Sequence, residues 1–131
     1  MPTNRGEIYN HERARQQKDY SGLRIGNITP TDIDGLIEYK NKAYIILELK
    51  YLDALTTMGQ RLALERLTDD LQRAGKESLC IIANHETHDA DSDIDAAAAY
   101  VLESRYKGKW RVAIDGETVI DMVKRFLGWL A

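Results

Sequence analysis

Residues 78–84, Ser-Leu-Cys-Ile-Ile-Ala-Asn, form an apolar run without polar alternation and too short for a helix of its own. A strand of this kind is apolar on both faces and has to be covered on both, which suits a sheet with helical crossovers and not an open antiparallel one. The preceding residues supply a cover. From Thr57 onward, Leu62, Leu64, Leu67 and Leu71 recur with Ala63 and Ala74 at three- to four-residue spacing, and Gly75 stands where a helix C-terminal cap belongs. Before that helix come two β-rich runs, 33–39 and 43–51, joined by Tyr39-Lys40-Asn41-Lys42, which suits a tight hairpin. A hairpin, a helical crossover and a doubly buried strand predict an α/β sandwich around a central mixed sheet.

The remaining segments are less determinate. Residues 7–18 suit a short polar helix, and 22–30 read as irregular chain ending at Pro30, since proline begins a strand more readily than it continues one. Residues 96–110 fit a helix or a strand pair turning at Lys107-Gly108-Lys109. From Thr118, the spacing of Val119, Ile120, Val123, Phe126, Leu127 and Leu130 predicts an amphipathic helix. With 131 residues, the chain is expected to form one domain over 1–131, within the roughly 100–200 residues usual for one.

The two β runs carry charge where a buried sheet should not. In Ala43-Tyr-Ile-Ile-Leu-Glu-Leu-Lys-Tyr51 the alternation puts Glu48 and Lys50 on one face and Leu47 and Leu49 on the other. Asp34, on the other run of the hairpin, brings a second carboxylate toward Glu48 if it projects to the same face. Converging carboxylates repel, and a divalent cation holds them ionised and close. Mg²⁺, with Mn²⁺ as substitute, fits a site of one or two carboxylates completed by water and phosphate oxygens. Lys50 would then position or help deprotonate a water, or offset charge on a phosphate. The plainer interpretation makes Glu48 and Lys50 a solvated cross-strand ion pair on an open face, and Asp32 and Asp34 strand-edge residues.

Asp34 within Ile33-Asp34-Gly35-Leu36-Ile37, followed by Glu48-Leu49-Lys50, resembles the PD-(D/E)xK nuclease superfamily, with Asp34 as its aspartate and Glu48-Leu49-Lys50 as its ExK element. Gly59-Gln60-Arg61-Leu62-Ala63-Leu64 resembles the QxxxY element of the RecB-like members, with Leu64 where that element has Tyr. The resemblance spans residues 26–72, which are also similar to small phage and prophage proteins. It implies a restriction-endonuclease-like α/β/α sandwich and metal-dependent hydrolysis of DNA phosphodiesters. It implies further that Asp34, Glu48 and the Leu49 carbonyl bind Mg²⁺, that Lys50 and Gln60 place or activate the attacking water, and that a first-helix glutamate, Glu12 or its rival Glu7, can join them. Asp32, two residues from Asp34 and so expected on the same face, is a candidate for a supporting or alternative ligand.

Other patterns are weaker. His85 and His88 lack the second half of a zinc site. Asp89, Asp91, Asp93 and Asp95 resemble a calcium loop but have Ile94 at the required glycine and Tyr100 at the bidentate glutamate. No phosphate-binding glycine loop or hydrolase signature occurs. Cys80, the single cysteine, reads as a buried thiol, and with no apolar span or leader-like segment a cytoplasmic location is expected. A net charge of −3 disfavours a broad basic DNA surface, leaving Arg13, Arg15, Lys18 and Arg24 as a local one. DNA is the expected partner. Phe126-Leu127-Gly128-Trp129-Leu130 suits either a homodimer interface or core packing. The alternatives to a nuclease are a non-catalytic nucleic-acid or protein-binding module on the same fold, and a dimeric Holliday junction resolvase.

Overall fold

The computed structural model describes residues 16–52, 54–87, 89 and 92–131. The chain divides into two compact units, Met1–Pro30 and Thr31–Ala131. In the first, a 3-10 turn at Ser21–Leu23 precedes an antiparallel bridge between Ile25 and Ile28. Most of the expected helix over 7–18 lies outside the described residues, with Glu7, Glu12, Arg13 and Arg15; residues 16–18 are not helical.

The second unit contains β1 (Gly35–Tyr39), β2 (Ala43–Tyr51), α1 (Met58–Arg73), β3 (Glu77–His85), β4 (Tyr100–Tyr106), β5 (Lys109–Val112) and α2 (Val119–Leu130). The five strands lie side by side in sequence order. β2 and β3 run parallel, and every other neighbouring pair is antiparallel. The sheet is therefore mixed, and 96–110 resolves as the strand pair with a 3-10 turn before it.

Turn chemistry fixes both hairpins. Lys40 and Asn41 have φ of 48° and 57°, and Lys42 N–H donates to the Tyr39 carbonyl at 2.8 Å. Two left-handed residues in succession match the right-handed twist of the flanking strands. Lys107 and Gly108 repeat this with φ of 50° and 79°. α1 starts where the Thr57 hydroxyl accepts from Gln60 N–H and ends before Gly75, whose φ of 94° suits glycine. α2 opens with a capping box between Thr118 and Asp121.

Each face of the sheet has its own helix. Odd-numbered residues of β2 and β3, including Ile45, Leu79 and Ile81, share a core with Val119, Met122 and Phe126 of α2. Even-numbered Ile46 and Cys80 pack with Leu64 of α1. Ser78 through Ala83 are all buried, as the unbroken apolar run requires. Two details of the helices differ from their apolar spacing. The inward line of α1 is Leu64 and Thr68, with Leu71 packing beside it and Leu67 38% exposed. In α2, Met122 is buried and Ile120 is exposed. Phe126, Leu127 and Leu130 belong to the core, while Trp129 is 63% exposed.

The side of α1 above β4 and β5 is held by charge. Arg61, Glu65 and Asp69 follow one another at i, i+4, i+8 and face Glu103, Arg105 and Trp110. Arg105 clasps Asp69 with two bonds of 2.9 and 2.7 Å, Arg61 pairs with Glu103, and the Arg61 guanidinium lies 4.2 Å from the Trp110 ring centroid. These contacts raise the Arg61 and Arg105 pKa values and lower that of Asp69, in each case chiefly through the bond to the partner. Among the described residues no helix is long and apolar enough to cross a membrane.

Cys80 is fully buried, and burial pushes its thiol up to about 12. Because the thiolate is the reacting species, the native protein at pH 8 should resist a disulfide-exchange reagent such as DTNB. One equivalent should react at once in guanidinium. Rapid stoichiometric labelling of the native protein would mean that the Ile46–Leu64–Cys80 seam is open.

Candidate metal and phosphate site

The parallel connection fixes where polar chemistry can gather. β2 runs up to Tyr51, the chain crosses over the sheet as α1, and β3 returns in the direction of β2. The N-terminus of α1 therefore lies by the carboxyl end of β2. Gln60, Leu64 and Thr68 are spaced at i, i+4, i+8 and so lie along one line of the helix. Leu64 and Thr68 are buried against the sheet, which turns Gln60 inward, toward Glu48 and Lys50.

The three side chains close a ring. Gln60 Nε2 donates to Glu48 Oε1 at 2.8 Å, Lys50 Nζ donates to Gln60 Oε1 at 2.7 Å, and Lys50 Nζ lies 3.0 Å from Glu48 Oε1. The side chains of Lys50 and Glu48 are only 15% and 5% exposed. This is not a solvated pair on an open face. Glu48 Oε2 is buried with no hydrogen-bond partner among the described residues. Burial, first of all, raises the Glu48 pKa; the Asp34 charge adds to the rise, and bonds from Lys50 and Gln60 oppose it.

Asp34 arrives by a different route than its sequence pattern suggests. β1 begins at Gly35, so Ile33 and Asp34 precede the strand instead of lying within it. Gly35 pairs with Leu47, and two residues further along β2 the Asp34 carboxylate takes the place of a ladder partner: Leu49 N–H donates to Asp34 Oδ2 at 2.7 Å. A strand residue directs its N–H and C=O to the same edge, so the Leu49 carbonyl also faces this gap beyond the start of β1. Asp32 lies in exposed chain two residues earlier.

Asp34, Glu48, Leu49, Lys50 and Gln60 are thus brought together at one end of the sheet. A cation fits the group on two counts: a buried Glu48 oxygen lacks a partner among the described residues, and the charge of a second carboxylate, Asp34, is near enough to raise the Glu48 pKa. Among the described residues no cluster of three His, Cys, Asp or Glu residues could hold a metal. A cation here would have two carboxylates, a set that Mg²⁺ accepts. His88 and Asp91 of the weaker histidine and acidic patterns lie outside the described residues; Asp93 and Asp95 are exposed chain beyond β3.

One neighbour has no motif to announce it. Asn84 stands opposite Lys50 on β3, and its Oδ1 is also buried without a partner among the described residues. The only sequence signal is a polar residue closing the apolar run of 78–84. No family model, curated protein or solved structure matches the chain.

The raised pKa of Glu48 has a consequence for stability. A carboxyl with a higher pKa folded than unfolded binds its proton more tightly in the folded protein, so its contribution declines as pH rises from the unfolded value through the folded one. Glu48→Gln removes that titration while keeping an acceptor for Gln60 and Lys50. In EDTA the variant should gain stability relative to wild type as pH is raised from 4 to 8, with a slope of at most about 1.4 kcal/mol per pH unit, the limit for one proton. Urea denaturation at several pH values measures it. A relative loss on raising the pH would make ionised Glu48 a net stabilising ion-pair partner.

Proposed function

We propose that the Thr31–Ala131 unit is a Mg²⁺-dependent deoxyribonuclease with a restriction-endonuclease-like α/β/α sandwich, acting on DNA phosphodiesters. The observation that carries this reading is the gathering of Lys50, Gln60 and the exposed Asp34 around Glu48, a carboxylate buried where core packing alone would place an apolar side chain. Burying Glu48 and leaving one of its oxygens unbonded costs stability. A ligand that uses that oxygen offsets the cost.

In this reading Asp34, Glu48 and the Leu49 carbonyl hold Mg²⁺, with Mn²⁺ as substitute. When bound, the ion supplies a water of lowered pKa and neutralises charge on the phosphate. The chain's own groups do the rest. Gln60 bonds both Glu48 and Lys50, so it fixes the ammonium in place. Lys50 then presents N–H donors to a water or to a phosphate oxygen, and α1 shields the site and strengthens those contacts. Water is the nucleophile, so no covalent intermediate forms. The phage or prophage setting and a homodimer through the Trp129 region belong to the same proposal; a dimeric junction resolvase is its alternative within the enzyme class.

One observation favours a second reading. Lys50 and Glu48 already satisfy one another at 3.0 Å, as they would in a non-catalytic binding module that keeps the pair for structure. Two measurements separate the readings. Incubated with supercoiled DNA, the wild type should nick or cut in Mg²⁺ or Mn²⁺ and be inert in EDTA, with Ca²⁺ supporting binding but little cleavage. Lys50→Ala should lower the rate by at least about a hundredfold, the scale of a lost proton-transfer or charge-stabilising group. In a thermal-shift assay Mg²⁺ should raise the Tm of the wild type and of Lys50→Ala but not that of Asp34→Asn. No cleavage with any metal, joined to no Tm response, would leave the binding module standing.

A further inference from the structure

Among the described residues, two cavities of this unit differ in their relation to the candidate site. The larger, about 260 Å³, is lined by Leu79, Tyr106, Met122, Phe126 and Trp129 among others and lies on the α2 face, away from Glu48. The smaller, about 190 Å³, lies at the carboxyl end of β3 and is lined by Asn84, His85, Glu86, Thr87, Asp95 and Tyr100, with Ala98 and Ala99. It adjoins the candidate site through the sheet itself. Lys50 is opposite Asn84, and Asn84 is opposite Tyr100. Directly paired residues share a face, so Lys50, Asn84 and Tyr100 form one row across three strands on the α1 side. Two strand spacings put Tyr100 roughly 10 Å from Lys50.

The row changes character along its length. At one end is the ammonium next to Glu48. In the middle is an amide whose carbonyl oxygen is buried without a partner among the described residues. At the other end is a tyrosine 50% exposed. Among the described residues, the cavity around the last two has two carboxylates, Glu86 and Asp95, and no lysine or arginine. Such a lining repels a phosphate and accepts from N–H donors. Its volume is that of about six waters, room for one planar ring and not for a base pair.

We propose that this cavity receives the base of a nucleotide next to the phosphate held at Lys50, from a single-stranded or locally opened strand. The Tyr100 ring stacks on the base, while Asn84 Oδ1 and the Asp95 and Glu86 carboxylates accept from its exocyclic amine. The cavity thus favours an amino-bearing base over thymine. Base stacking on an aromatic tolerates any base, whereas side-chain carbonyls and carboxylates accept from the amino groups of adenine and cytosine. The inference rests on the phosphodiester reading of the Lys50 site for its substrate class, but its test does not require cleavage.

Fluorescence anisotropy with labelled oligo-dC and oligo-dT in Ca²⁺ reads it directly. The wild type should bind oligo-dC more tightly than oligo-dT, on the order of tenfold for one discriminating contact set. Tyr100→Ala should weaken both on the order of tenfold, the loss expected for one stacked base, and Tyr100→Phe should restore binding. Asn84→Ala should bring oligo-dC toward the level of oligo-dT. Equal affinity for the two oligonucleotides, no binding of either, or wild-type affinity in Tyr100→Ala each overturns the inference. If DNA is cut in Mg²⁺ yet oligo-dC has no advantage, the hydrolysis reading stands and the base pocket falls. A Tyr100-dependent preference for oligo-dC with no cleavage under any metal gives the reverse.

Discussion

The parallel pairing of β2 with β3 organises the unit. Parallel neighbours cannot be joined by a turn, so the chain between Tyr51 and Glu77 has to cross the sheet, and it does so as α1. That crossing closes the Ile46–Leu64–Cys80 seam on one face. It also brings the first turn of α1 to the carboxyl ends of both parallel strands. Gln60 meets Glu48 and Lys50 there, and Asn84 lies one strand further on. In open α/β sheets this end is where ligands gather, for the same topological reason.

Against this framework Glu48 is costly. It is 4% exposed and has one oxygen unbonded among the described residues. Its neighbours Lys50 and Gln60 offset part of the desolvation, and the charge of Asp34 adds a repulsion of its own. The polar belt along the rest of α1 behaves differently. Arg61, Glu65, Asp69, Glu103 and Arg105 pair mutually and remain partly exposed. They anchor the helix by mutual satisfaction, whereas the Glu48 group is left unsatisfied at the one place where α1 begins.

Much of this was legible from residues alone, in proportion to how local the cause was. The hairpin at Lys40-Asn41, the helix ended by Gly75 and the doubly buried strand at 78–84 depend on turn conformation, capping and side-chain period, and each appears within a few residues of sequence. Glu48 and Lys50 on one face follow from strand alternation in the same way. What escaped depends on tertiary pairing. Asp34 looked like a strand residue because Ile33 and Leu36-Ile37 flank it, yet β1 starts one residue later and its carboxylate bonds Leu49 N–H. Leu67 looked like core because leucine usually is, but the line through Leu64 and Thr68 is fixed by the sheet beneath. The stretch 96–110 was ambiguous because Ala96–Ala99 favours a helix locally, and only pairing with β3 commits Tyr100–Tyr106 to a strand. Asn84 has no motif; its significance comes from its register with Lys50.

The two hairpins and the crossover also differ in how their contacts arise during folding. β1–β2 and β4–β5 close over three or two residues, and such short loops form quickly. The β2–β3 pairing joins residues 34 positions apart, as in Ala43 with Glu77, and its loop entropy has to be met before any contact rewards it. A chain collapsed onto its hairpins alone would hold Glu48 and Lys50 on a strand with no Gln60 above them. The ring of Glu48, Lys50 and Gln60 therefore depends on α1 docking over β2, a contact that neither hairpin supplies.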